Sequence, residues 1–172
     1  HHVTHTQGLT TVRQEAEGLA VAVHWCVDAV TAVKQIRVTV SNTGSRKRHL
    51  RLVAMVEWLL GEKRTDRATL HTRAVHGEAA VEDPALPLLG LFCTQRRSDI
   101  EPDAAEGGAT AFLAEVPHAV ADGAPRGEGP DWTCDRRAFF APEGHIVVPR
   151  ALGKVQGSGL DPCAAHARLL TL

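Results

Sequence analysis

Apolar and polar residues alternate along much of this chain, and the period is that of strands. Leu19, Val21, Val23 and Trp25 share one parity, as do Ile36, Val38 and Val40, with Lys34, Arg37 and Thr39 as polar neighbours. A two-residue repeat puts every second side chain on one face, so half-buried strands are predicted at both places. Asn42-Thr43-Gly44-Ser45 follows and reads as a tight hairpin connection, with Gly44 free to take a positive φ. From Leu50 to Leu60 one parity carries Leu50, Leu52, Ala54, Val56, Trp58 and Leu60, while the other passes from Arg51 to apolar Val53 and Met55. A helix competes for so long a run without Gly or Pro. The turn signal before it favours a strand, part of it buried on both faces, ending at Gly61-Glu62-Lys63.

Shorter strands are predicted at Ala68–Val75, Leu86–Thr94 and Ala109–Val116, and one helical turn at Asp135–Phe140. Glu101–Gly108 and Ala121–Asp131 are rich in Gly, Pro and Asp and read as loops. After a loose Gly153–Gly159 loop, the chain alternates again through Ala165-His166-Ala167-Arg168-Leu169 and stops at Leu172 without a turn residue or cap. A strand interrupted in mid-pattern raises the expectation that the chain is a piece of a longer one. The fold predicted is all-β: one large antiparallel β-sandwich over residues 1–172, with little helix.

Composition narrows the function. With 172 residues there is room for one domain with a core. A net charge of −1 supplies no basic field for nucleic acid and no acidic one for a cationic partner. Aromatics make up 4% and tyrosine is absent, which argues against an extended stacking platform. No apolar run approaches the roughly 20 residues that cross a bilayer, and the first residues lack the layout of a secretory signal. Cys26, Cys93, Cys134 and Cys163 are widely spaced; an oxidising compartment would allow a disulfide framework, but their apolar flanks suit buried free thiols in a reducing cytosol better.

Three constellations are candidates for chemistry. His2 and His5 have a metal-like spacing, but positions three apart in a strand face opposite ways, and a frayed edge strand or an added remnant explains His1, His2 and His5 as well. The scattered remaining histidines compose no ligand set, so no metal or cofactor is read from the sequence. Among carboxylates, Glu57 stands beside Trp58, and Asp131 and Asp135 flank Trp132 and Cys134. Glycoside chemistry needs two carboxyls about 5–10 Å apart, whereas a lone acid is more often structural. Arg136-Arg137, with Trp132 and Asp135 before them and Phe139-Phe140 after, can bind sugar hydroxyls or carboxylate beside an indole that stacks on a sugar face. The bland alternative is an Arg–Asp pair that pins a loop onto the sandwich. No phosphate-cradling loop or serine elbow is present.

Four segments in order, Thr6-Gln7-Gly8-Leu9-Thr10, Val56-Glu57-Trp58-Leu59-Leu60-Gly61, Cys134-Asp135-Arg136-Arg137-Ala138-Phe139-Phe140 and Gly159-Leu160-Asp161-Pro162-Cys163-Ala164-Ala165, resemble the β-sandwich domain of glycoside hydrolase family 94, formerly glycosyltransferase family 36. Within it the likeness is greatest to the C-terminal part of cyclic β-1,2-glucan synthases. The chain departs from the family where Leu9 replaces a frequent aromatic and where Ala141-Pro142 replaces Gly-Arg. The resemblance implies a galactose-mutarotase-like supersandwich placed before an (α/α)6 barrel. That barrel carries the catalytic aspartate of enzymes that cleave β-glucosidic bonds with phosphate or transfer glucan. It therefore implies no catalytic residue here; Glu57, Trp58, Asp135, Arg136 and Arg137 fall on its motifs and, together with Trp132 from the arginine constellation, form the candidate carbohydrate-binding set. The partners implied are the barrel of the same parent chain, a β-glucan or oligosaccharide, and a second copy in a homodimer. The place implied is the cytoplasmic face of a bacterial inner membrane, in a membrane-anchored parent. The alternatives are an autonomous β-glucan-binding module and, least favoured, a metal-dependent hydrolase built on the histidines.

Overall fold

The computed structural model describes residues 1–60, 63–78, 87–95, 109–115, 131–140 and 162–172. In order these form strands β1 (His2–Thr6), β2 (Leu9–Ala16), β3 (Leu19–Val27), β4 (Lys34–Asn42) and β5 (His49–Glu57), a 3-10 turn (Arg64–Thr69), β6 (Leu70–Glu78), β7 (Pro87–Gln95), β8 (Thr110–Glu115), β9 (Asp131–Asp135), the helical turn α1 (Arg136–Phe140) and β10 (Pro162–Thr171). The expected all-β, antiparallel class with little helix is what the chain adopts. The loops expected at 101–108 and 121–130, the glycine loop at 153–159 and the run end at 61–62 lie outside the described residues. Asp131, expected in a loop, opens β9.

Two compact units make up the chain. The first comprises His1–Leu50 with Leu170–Leu172. Its sheet is a meander, β1-β2-β3-β4. Turn chemistry sets its register. Thr6 pairs with Leu9 across Gln7-Gly8, and Ala16 pairs with Leu19 across Glu17-Gly18. Glu17 and Gly18 both have positive φ, 52° and 77°, the twist that a two-residue type I′ hairpin requires. From these turns follow cross-strand rows: Val3, Val12, Val23 and Val38 in one, Trp25 and Ile36 in another on the same face. The opposite face carries Thr11, His24 and Arg37. Nothing in His1–Leu50 is buried.

The connection after β4 differs from the hairpin expected of it. Within the sheets, β4 and β5 are not neighbours, and Gly44 does not take a positive φ. Asn42 shapes the segment instead: its Oδ1 accepts the Gly44 N–H at 3.1 Å and its Nδ2 donates to Arg46 O at 2.8 Å, the local bonding that makes Asn a turn residue. Thr43 and Gly44 also donate their N–H groups to Gly18 O. At the other end, Arg48 and Leu172 exchange backbone hydrogen bonds of 2.7 and 2.9 Å.

The second unit, Arg51–Leu169, is layered. Sheets β6-β7-β8 and β5-β10-β9 enclose Trp58, Leu70, Leu89, Leu91, Cys93, Trp132, Cys134 and Ala164. On the far side of β5-β10-β9, Phe139 of α1 packs with Ala165 and Ala167 and against Val53 and Met55. β5 is thus covered on both faces, as its two apolar parities predict: Val56 goes to one cluster and Val53 and Met55 to the other. β10 passes through the middle on Cys163, Ala164, Ala165 and Ala167, small enough for layers to close on either side.

Candidate functional site

Four of the six residues singled out for carbohydrate contact gather at the junction of β5, β9 and α1. The local cause lies in Asp135. Its Oδ1 accepts the Arg137 N–H at 2.8 Å, the N-cap bond that starts a helix, so the chain turns directly out of β9 into α1. Thr133 Oγ1 accepts the Asp135 N–H at 3.1 Å and steadies the cap. Phe139, four residues on, anchors the turn by inserting into the core, with its ring edge-to-face with Phe140 at 4.9 Å. That leaves Arg136 directed at the end of β5. Its Nε donates to Glu57 Oε1 at 2.5 Å, and its guanidinium lies 4.7 Å from the Phe140 ring centroid.

A residue not foreseen completes this group. Arg67, from the 3-10 turn before β6, approaches Glu57 Oε2 with Nη1 at 3.7 Å and donates from Nη2 to Pro162 O at 3.2 Å. Glu57 therefore stands between two guanidinium groups that come from segments distant in sequence. The pinning pair foreseen as the bland alternative exists, but its acid is Glu57, since the Asp135 carboxylate bonds the backbone of its own turn. Glu57 and Arg136 remain open to solvent, with side chains 42% and 39% exposed, and Arg137 is exposed beside them.

The two indoles lie elsewhere. Trp58 and Trp132 are each 7% exposed and belong to the core between the sheets. Neither ring face is free for a sugar to stack on. Their place beside Glu57 and before Arg136-Arg137, which drew attention to them, is compatible with a core position as well.

Thiols line the same core. Burial and the neighbouring Cys134 push the Cys93 thiol up to about 12, with Arg67 opposing, and burial pushes Cys134 up to about 11, with the nearby Thr72 hydroxyl opposing. Both are inert as nucleophiles near neutrality. Cys163 is also buried. His2 and His5 sit on the exposed β1 and bond to Thr4 and Thr10, at 3.4 and 3.0 Å. Among the described residues no three His, Cys, Asp or Glu side chains gather as a metal site.

A layered antiparallel β domain whose best-assembled polar group is a held carboxylate, flanked by exposed arginines, is the class these features define. The chain belongs to the glycosyl hydrolase 94 supersandwich domain family, whose family model matches residues 1–172. No curated protein sequence matches it.

Proposed function

We propose that this chain is a non-catalytic, carbohydrate-associated domain of a cyclic β-1,2-glucan synthase or a related glycoside phosphorylase. In this reading it packs on the catalytic barrel of a membrane-anchored parent and helps to shape the glucan cleft, with Glu57, Asp135, Arg136 and Arg137 at its carbohydrate-facing rim. The family match over the whole of residues 1–172 carries the reading. The chemistry of the junction supports it: Glu57 is engaged by Arg136 and Arg67, and Asp135 caps α1, so neither carboxylate stands free for acid–base work. No described helix is long and apolar enough to cross a membrane, so an anchor is assigned to other parts of the parent.

The test is enzymatic. Purified chain, given β-1,2-glucan and inorganic phosphate, is expected to release no sugar 1-phosphate. Release that disappears in Glu57→Gln would overturn the proposal. The competing reading, a module that holds glucan unaided, is separated by calorimetry or NMR with β-1,2-gluco-oligosaccharides. Binding that weakens in Arg137→Ala would favour it. Trp132→Ala is a poor probe, because it empties a core position and removes the fold along with any binding.

A further inference from the structure

Away from the Glu57 junction, a second set of charged side chains lies inside the Arg51–Leu169 unit. Glu115 ends β8, the edge strand of its sheet, while His166 and Arg168 stand on β10, the central strand of the other. Positions two apart in a strand share a face, and this face of β10 is the one that sends Ala164 into the core between the sheets. Arg168 Nε donates to Glu115 Oε1, and His166 Nδ1 lies 3.5 Å from Glu115 Oε2. That second carboxylate oxygen and the imidazole nitrogen are both sealed from solvent, and neither has a hydrogen-bond partner among the described residues. The charges of the group balance only while His166 is neutral. One carboxylate then meets one guanidinium. A proton on the ring would leave two cations sharing a single carboxylate where water scarcely reaches.

We propose that Glu115, His166 and Arg168 form an acid-released tie between β8 and β10. While His166 is neutral, the Arg168–Glu115 pair bridges the two sheets and the ring packs beside it. On acidification the surplus charge favours a state in which β8 separates from β10 and water reaches the imidazole. Of the groups facing the ring, Glu115 comes from β8 and Arg168 from β10 itself. On β5, whose pairing with β10 runs from the Arg48–Leu172 backbone bonds, the position level with His166 is Ala54, which is uncharged. On β9 the position opposite His166 is Trp132, and on β7 the position opposite Glu115 is Leu89, neither of them charged.

The direction of the titration agrees with this geometry. Burial holds His166 below its ordinary 6.5; Glu115 opposes that effect and Arg168 adds to it. A histidine whose folded value is depressed binds fewer protons folded than open. Its contribution is therefore complete above about 6.5 and is lost as pH falls from there through the folded value. Edge strands are also the elements that open locally at least cost, so β8 is the one expected to release.

The experiment is amide hydrogen exchange on the 172-residue chain and on His166→Gln, at about pH 7.5 and about pH 5.5, corrected for intrinsic rates. Glutamine keeps polar reach without the titration. Amides of β8 and β10 in the unsubstituted chain are expected to accelerate several-fold at the lower pH, and those of His166→Gln much less, while β3 amides respond alike in both. Equal acceleration of β8 in the two proteins would sink the proposal. Should His166→Gln not fold, an NMR titration of the His166 ring in the unsubstituted chain decides it. A midpoint below 6.5 supports the tie, and one at or above 6.5 overturns it.

Discussion

In the meander of His1–Leu50, valines of β1, β2, β3 and β4 line up across the strands, yet every one keeps contact with solvent, and Trp25 and Ile36 on the same face are 41% and 55% exposed. In the β5-β10-β9 sheet of the other unit, both faces are covered, one by β6-β7-β8 and one by Phe139 of α1. Both sheets carry apolar residues at alternate positions, so hydrophobic patterning alone does not separate them. What separates them, among the described residues, is a second layer. Alternation decides which face of a strand is apolar, and only a neighbouring element converts that face into a core. Composition follows the difference: the open sheet relies on β-branched residues that favour extended backbone, the covered one on Ala and Cys that let two layers approach.

Thiol chemistry offers the sharpest way to break this comparison. Cys26 lies in the open sheet, and Cys93, Cys134 and Cys163 in the covered ones. With Cys93 moved from 9.0 to about 12, its thiolate at a given neutral pH falls roughly a thousandfold, before any steric protection is counted. Alkylation of the native chain, read by mass spectrometry, is expected to modify Cys26 first and the other cysteines only on unfolding. A linkage follows with a definite sign: thiols raised in the folded state stabilise it fully below about 9, and that contribution is lost as pH climbs through their folded values near 11 and 12. Early modification of Cys93 or Cys134 would mean that the sheets are not closed over each other.

Truncation of single side chains comes next in size. Phe139→Ala removes the ring that packs over Ala165, Ala167, Val53 and Met55 and is expected to cost about 3–5 kcal/mol, measured by denaturant unfolding. Trp25→Ala removes a larger ring from the open sheet, where it rests under the Lys34 ammonium at 5.0 Å, and is expected to cost about 1 kcal/mol or less. A Trp25 effect equal to that of Phe139 would show that the open face is covered in solution.

How far this could be read beforehand depends on where each signal resides. β3, β4 and β5 were legible because their alternation is written in Leu, Val, Ile and Trp, and the two-sided burial of β5 because Val53 and Met55 break the polar parity. β2 was not, since LTTVRQEA mixes Thr, Gln and Glu into both parities and takes its register from Glu17-Gly18 and from β3. The Asn42–Ser45 segment misled because Asn and Gly mark a change of direction without saying whether the next strand pairs with the last. At the junction, Glu57, Asp135 and Arg136 were picked out by type and spacing. That Arg67 joins them, and that Trp58 and Trp132 face inward, follows from β10 inserting between β5 and β9, a long-range pairing with no local signature. The inward charges at His166 and Arg168 did carry a signal: both share the parity of buried Ala164.

The smallest expected effect bears on that junction, the best-assembled polar feature outside the core. Glu57 is held by Arg136 and approached by Arg67, a network in appearance, but with its side chain 42% exposed and Arg136 at 39%, solvent screens most of the attraction. Glu57→Gln keeps the shape and one acceptor oxygen, so it is expected to lower stability by about 1 kcal/mol or less, and the difference should shrink when salt is raised to molar levels. Arg136→Lys sharpens the reading. It preserves the charge and gives up both the directed Nε–H bond and the planar contact with Phe140, so a loss at least equal to that of Glu57→Gln would place the junction's value in guanidinium geometry. If Glu57→Gln instead costs as much as Phe139→Ala, with no response to salt, the carboxylate is sealed in solution, and the junction belongs with the covered sheets, not with the open surface that a glucan could approach.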